Sequence, residues 1–140
     1  MTRRSIFITG GASGIGRATA RYFGERGWFV GIGDVNVEGM EDTLGLIEGG
    51  FKYMHRLDVR DRAAWDEALA AFNTAAGSRI DVMVNNAGIG TGGPLAELEK
   101  DEIDRCLDIN LRGVLYGAQA VYPYLKASAP GSALINIASA

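Results

Sequence analysis

Near the amino terminus the octet Thr9-Gly10-Gly11-Ala12-Ser13-Gly14-Ile15-Gly16 interrupts two regular patterns. Before it lies Ser5-Ile6-Phe7-Ile8, a β-branched and aromatic run suited to a strand. After it Ile15, Ala18, Thr19, Tyr22 and Phe23 recur at the spacing of one helix face. Strand, glycine turn and helix in that order form the local context of a phosphate-binding loop. Glycine admits the positive φ of a tight turn and lets an anion approach the backbone. The free N–H groups and positive dipole end of the helix then receive that anion. The spacing is G-x-x-x-G-x-G, carried by Gly10, Gly14 and Gly16. Taken alone, such a loop is also compatible with an ordinary strand-to-helix turn.

The rest of the chain repeats the strand–helix theme. The first strand is expected at about 5–9 and the first helix at about 14–26, stopped by Gly27. Trp28–Gly33 reads as a second strand ending at Asp34, followed by a short helix at about 37–47 closed by Gly49-Gly50. A third strand at about 51–57 contains His55, read as structural, and runs into Asp58-Val59. Asp61 is placed to cap a helix reaching about 76, with Ala64, Trp65, Ala68, Leu69 and Phe72 as its buried stripe. Ile80–Val84 reads as a fourth strand leading into Asn85-Asn86-Ala87-Gly88, and Gly88–Pro94 as a loop. Helices are expected at about 95–107 and 108–127. Ile103, Leu107, Leu111, Val114, Leu115, Ala118, Tyr122 and Leu125 would share one apolar face, and Pro123 would kink or weaken the second helix. Ser132–Ala138 is the fifth strand.

Near-continuous apolar strands separated by helices imply a parallel sheet covered on both faces. The expected order is 3-2-1-4-5 with right-handed crossovers, a Rossmann-type doubly wound α/β fold in one domain over residues 1–140. Its switch point falls between strands one and four, where Gly10–Gly16 faces Asn85–Gly88. Asp34, 18 residues beyond Gly16, then stands at the carboxyl end of strand two. A carboxylate there accepts hydrogen bonds from both hydroxyls of an adenosine ribose and repels a 2′-phosphate, which selects NAD over NADP. Neither Val35 nor Ser13 offers the cation a 2′-phosphate would want. A helix-capping acid is the plainer alternative for Asp34. Asn110 sets an amide near the junction of the last two helices, which is locally unfavourable and hints at a task, although taken alone an ordinary surface asparagine fits equally well.

Several function classes are disfavoured. A formal net charge of −3 leaves no basic footprint for nucleic acid, and no apolar run is long enough to span a membrane. One cysteine, Cys106, and one histidine, His55, argue against a disulfide framework, a metal cluster and a Ser-His-Asp triad. No leader is read in Met1–Ser5, and a cytoplasmic location is expected.

Taken together these residues resemble the classical short-chain dehydrogenase/reductase family over essentially the whole chain. Thr9–Gly16 is similar to the family's TGxxxGIG cofactor loop, with Gly10, Ser13, Gly14, Ile15 and Gly16 at the phosphates. Asp34 looks like its NAD-selecting acid and Asp58-Val59 like the pair at the adenine. Asn85–Gly88 resembles the NNAG signature, with Asn86, Ala87 and Gly88 on the cofactor side. Asn110 and Ser139 look like the tetrad asparagine and serine. The resemblance implies hydride transfer between a nicotinamide and an alcohol or carbonyl carbon of a small-molecule substrate. It also implies a homodimer or homotetramer for a complete enzyme. The family's general acid/base, a Tyr-x-x-x-Lys pair, is expected after strand five. Tyr122-Pro123-Tyr124-Leu125-Lys126 satisfies that spacing but precedes the strand, and is read as ordinary helix surface. The chain is therefore expected to be the cofactor-binding part of a longer NAD-dependent oxidoreductase. A nucleotide-binding module without turnover and an inactive fragment are the alternatives. Strand five would then lie at a sheet edge and Ser139 at a frayed end.

Overall fold

The computed structural model describes residues 3–139. Its centre is a parallel sheet of order β3-β2-β1-β4-β5, formed by β1 (Ser5–Thr9), β2 (Phe29–Asp34), β3 (Lys52–Arg56), β4 (Val82–Asn85) and β5 (Ala133–Asn136). The helices are α1 (Gly14–Gly24), α2 (Val37–Gly45), α3 (Arg62–Ala75), α4 (Lys100–Leu107) and α5 (Gly113–Ala127). This is the doubly wound α/β fold and the strand order expected from the sequence.

Side chains alternate across each strand, so β1 feeds two cores. Ile6 and Ile8 pack with Val30, Ile32, Ala20 and Met40 on the α1–α2 side. Phe7 packs with Met83, Trp65, Phe72 and Val121 on the α3–α5 side. The expected stripe of α3 is confirmed, with Trp65, Ala68, Leu69 and Phe72 buried and Asp61 accepting the amides of Ala63 and Ala64 at the helix start.

At the amino edge of the sheet, Asp81 is fully buried. It accepts the Ser5 amide at 2.9 Å and the Arg79 guanidinium at 2.6–2.8 Å, with Arg4 4.0 Å away. Burial alone would raise this carboxyl, but the Arg79 and Ser5 hydrogen bonds and the two positive charges hold it below the ordinary carboxylate range.

Several sequence expectations are corrected. The face of α1 that meets the sheet is Gly16 and Ala20 with Phe23 against them, while Ile15 is 63% and Tyr22 51% exposed. Close approach of helix and strand demands small residues, so large apolar side chains mark the wrong face. Helix α1 also stops at Gly24 rather than near 26. The stretch at 95–107 is a 3₁₀ turn at Leu95–Glu97 followed by α4, whose start is fixed by reciprocal bonds between Glu99 and Glu102. Asp108–Arg112 is a π turn that joins α4 to α5. The single apolar face expected through both helices is split. Gly113, Gly117, Ala120 and Val121 are buried, whereas Leu107, Leu111, Leu115 and Tyr122 are more than half exposed. Helix α5 runs on through Pro123 to Ala127. Pro123 and Gln119, whose carbonyl loses a partner there, are both exposed, so water can replace the missing bond. Strand β5 is one edge of the sheet, and all its residues are exposed.

Candidate functional site

Parallel pairing brings the carboxyl ends of the strands to one edge. The turn after β1, the end of β2, the turn after β3 and the turn after β4 together bound a cleft of about 420 Å³. Its walls come from Gly10, Ser13, Gly14 and Ile15, from Gly33–Val35, from Leu57–Arg60 and from Asn86–Ile89. Arg105 on α4 and Ile109 in the π turn complete the lining. All of the cofactor-loop, acid, Asp-Val and Asn-Ala-Gly positions singled out in the sequence therefore meet in one place, except Gly16. That residue lies behind the wall, buried between helix and turn. A Cβ on it would come 2.7 Å from both the Gly10 carbonyl carbon and Asn86 Nδ2.

The two sides of the switch point are tied by one hydroxyl and one amide. Thr9, 1% exposed, accepts through Oγ1 the amides of Asn86 at 3.1 Å and Ala87 at 3.0 Å. In return Asn86 Nδ2 donates to the carbonyls of Thr9 at 3.0 Å and Gly10 at 3.4 Å. Gly10 and Gly14 take φ of +68° and +53°, which turns the chain sharply into α1. At the helix start Ser13 makes no side-chain cap and the first turn holds no acid, so nothing on the protein competes with an anion there. Above Gly14 lies open space, since a Cβ there would meet nothing within 4 Å.

Asp34 ends β2 with its carboxylate already oriented. Oδ2 accepts the Ala12 amide at 3.1 Å and Oδ1 the Asn36 amide at 3.0 Å. The helix cap of α2 is Asn36, whose Oδ1 takes the Gly39 amide at 2.9 Å, so the capping alternative for Asp34 does not hold. On the adjacent strand end, just past the Leu57 amide that donates to the Asp34 carbonyl at 3.0 Å, Asp58 is forked by Arg60, with contacts of 2.7–3.2 Å. That hydrogen-bonded guanidinium holds the Asp58 carboxyl below its ordinary value. The neighbouring Val59 is buried, and its carbonyl accepts the indole N–H of Trp65 at 3.0 Å.

The two candidate catalytic residues are not on the cleft wall. Asn110 sits in the π turn and closes a two-bond ring with Ile89, donating to its carbonyl and accepting its amide, both at 2.8 Å. A π turn inside helical structure often marks a functional position, and here it carries the amide to the loop after β4. Ser139 is exposed beyond β5. Because Asn136 pairs with Asn85, Ser139 follows the carboxyl end of its strand and so belongs to the cleft's edge of the sheet. His55 lies on β3, its Nδ1 3.1 Å from Tyr53 Oη, away from the cleft. Tyr122 and Lys126 are exposed on α5 as expected. Sequence reasoning missed Arg60, Arg105 and Ile109. Arg60 stands beside a motif that was recognised, whereas Arg105 on α4 and Ile109 in the π turn belong to none.

The sequence profile of the family described as short chain dehydrogenase matches residues 4–140. A sorbitol dehydrogenase from Cereibacter sphaeroides is 38% identical over 136 residues, covering 97% of this chain and 52% of that protein. A 3-oxoacyl-(acyl-carrier-protein) reductase from Thermotoga maritima is 37% identical over 134 residues, covering 94% of this chain and 54% of that protein. Among solved structures, a 3-ketoacyl-(acyl-carrier-protein) reductase from Brucella melitensis complexed with NADH superposes with a TM-score of 0.90 at 32% identity. It is matched over 97% of this chain and 57% of its own. The chain thus spans about half the length of these relatives.

Proposed function

We propose, for a chain that belongs to the short-chain dehydrogenase family, that residues 1–140 form the NAD-binding domain of an oxidoreductase interconverting an alcohol and a ketone or aldehyde. The observation that carries this reading is Asp34, held by two backbone amides at the cleft edge of β2 and facing an uncapped helix start. A ribose diol would donate to the carboxylate, and a 2′-phosphate would meet its charge. The pyrophosphate would lie over Gly14 and the first-turn amides of α1. Asp58 and Val59 would receive the adenine, with Ile109 against its face. Asn86, Ala87 and Gly88 would carry the cofactor across the sheet.

The nicotinamide, when bound, supplies hydride transfer to or from carbon. What the chain's residues contribute is position. Ser139, past the end of β5, would offer a hydroxyl to the substrate oxygen, and Asn110 would hold the loop after β4 in place. The NADH in the Brucella melitensis relative supports the cofactor class. The exposed leucines at 107, 111 and 115, spaced by four along the α4–α5 segment, support self-association. A cytoplasmic setting is part of the same proposal, and no helix among the described residues is long and apolar enough to cross a membrane.

The test is a paired titration of the protein with NAD and NADP. The parent binds NAD more tightly. Asp34→Ala with Val35→Arg lowers the NAD/NADP affinity ratio by about tenfold or more, the worth of a charged hydrogen bond exchanged for an attractive cation. An unchanged ratio removes Asp34 from ribose selection, and binding of neither dinucleotide removes the reading altogether.

A further inference from the structure

One arginine near the cleft spends its guanidinium on backbone carbonyls and never reaches the cleft wall. Arg17, in the first turns of α1, donates through Nη2 to the carbonyls of Ala12 at 2.6 Å and Gly39 at 3.2 Å. Its Nε donates to Thr43 Oγ1 at 3.0 Å, and Thr43 is fully buried. With its oxygen engaged by Arg17, Thr43 has its own proton between the Gly11 carbonyl at 2.7 Å and the Gly39 carbonyl of its own helix at 3.1 Å, and the shorter bond is the one to Gly11. The result is a relay from a charged donor through a buried hydroxyl to the cofactor turn, in which each bond strengthens the next.

The geometry of the peptide unit says what this relay orients. The Gly11 carbonyl and the Ala12 amide belong to one planar trans group, so fixing one end fixes the other. Thr43 holds the carbonyl end, and the amide end is the hydrogen that Asp34 Oδ2 accepts. Arg17 likewise holds the Ala12 carbonyl, which orients the Ser13 amide at the start of α1. Two successive peptide planes, one serving the acid and one serving the helix start, are thereby set from outside the cleft.

We propose that Arg17, acting through Thr43, is a positioning residue that aims Asp34 and the Gly11–Ser13 peptides, and so sets the preference for NAD over NADP without touching the ligand. The proposal rests on the dinucleotide reading given above. Relaxing the relay loosens the Ala12 amide on Oδ2 and leaves Asp34 held through Oδ1 alone, by the Asn36 amide. The ribose diol then loses its aligned acceptor, whereas the 2′-phosphate, which never used it, loses less.

The experiment compares Arg17→Met, Arg17→Lys and Thr43→Val with the parent, titrating each with NAD and with NADP. Amide hydrogen exchange at Ala12 is measured in the ligand-free proteins. Arg17→Met and Thr43→Val are expected to lose NAD affinity by about tenfold more than NADP affinity, with Ala12 exchanging faster. Arg17→Lys keeps the charge but not the fork, so its loss is smaller, and it carries the same comparison should Arg17→Met not fold. Equal losses for the two dinucleotides would reduce Arg17 to a structural role and overturn the proposal. So would unchanged exchange at Ala12. If the parent binds neither dinucleotide the functional reading fails, while exchange at Ala12 still decides whether Arg17 orients the turn.

Discussion

Replacing Gly16 and Gly14 separately by alanine distinguishes the two jobs that glycine does in this turn. At Gly16 the added methyl would sit 2.7 Å from the Gly10 carbonyl carbon and 2.7 Å from Asn86 Nδ2, and closer still to the Gly10 oxygen. Bringing the 2.7 Å contacts alone to an ordinary 3.4 Å requires helix and turn to part by ~0.7 Å, and the nearer Gly10 oxygen demands more. Neither neighbour can yield cheaply. One is backbone, and the other is an amide bonded to the Thr9 carbonyl at 3.0 Å. The cost therefore belongs at the upper end for overpacking, about 3 kcal/mol, a large part of a typical domain's stability. The first-turn amides of α1 move with the helix, so dinucleotide binding falls as well. At Gly14 a methyl meets nothing within 4 Å, and only the φ of +53° opposes it, at about 1 kcal/mol. Binding should nevertheless suffer, because the methyl occupies the open side of the turn. Urea unfolding with a common slope reads the first quantity, and NAD titration the second. Gly16→Ala at parental stability, or Gly14→Ala more destabilised than Gly16→Ala, would refute the packing argument.

Two further substitutions probe the scaffold. The Asp81 carboxyl lies below its unfolded value of about 3.9, so its contribution to stability is complete above that pH and is lost as pH falls through the lower folded value. Asp81→Asn should flatten the acid limb of the stability–pH curve, measured by urea unfolding. At neutral pH it should cost about 1–3 kcal/mol, less than for an orphaned buried charge because Arg79 is 35% exposed and rehydrates. An acid limb as steep as the parent's would rule out Asp81 as its source. Asn110→Ala removes both bonds to the Ile89 backbone. Ile89 should exchange its amide faster while global stability drops by about 1 kcal/mol or less, the group being exposed; unchanged exchange would mean that the loop after β4 holds itself.

What was legible in the sequence and what was not follow a physical division. Strand order and cleft position follow from alternating apolar strands and helices, because a parallel sheet leaves few arrangements and one ligand edge. Asp34 was legible because β2 must end where its apolar run ends. The face of α1 was not, because hydrophobic periodicity weighs side-chain size, and the contact is made where Gly16 leaves no room for any side chain. The division of α4 from α5 was hidden for a related reason. A π turn shifts the helical phase at Asp108–Arg112, so a single period drawn through Leu107, Leu111 and Leu115 joins residues that face solvent. Arg17 was invisible as a positioning residue. Its partners are carbonyls of the turn and of α2, and a carbonyl has no sequence signature.

The same contacts hold the two turns of the cleft in a fixed relation. Thr9 lies at the end of a buried strand, and its hydroxyl accepts two amides of the opposing turn. Neither turn can then move without the other, nor without breaking hydrogen bonds that are shielded from water. Asn110 fixes the next residues of that turn from a different element, and Arg17 fixes the first turn from behind. The walls after β1 and β4 are held by side chains that stay off the cleft surface. The conformational entropy of these loops is therefore lost on folding and not on binding, which leaves more of the interaction energy with a dinucleotide to appear as affinity. On this argument the affinity of the site depends as much on Thr9, Arg17 and Asn110 as on the residues that would touch the ligand. Substitutions at these three positions should weaken binding in step with amide exchange in the adjoining turns.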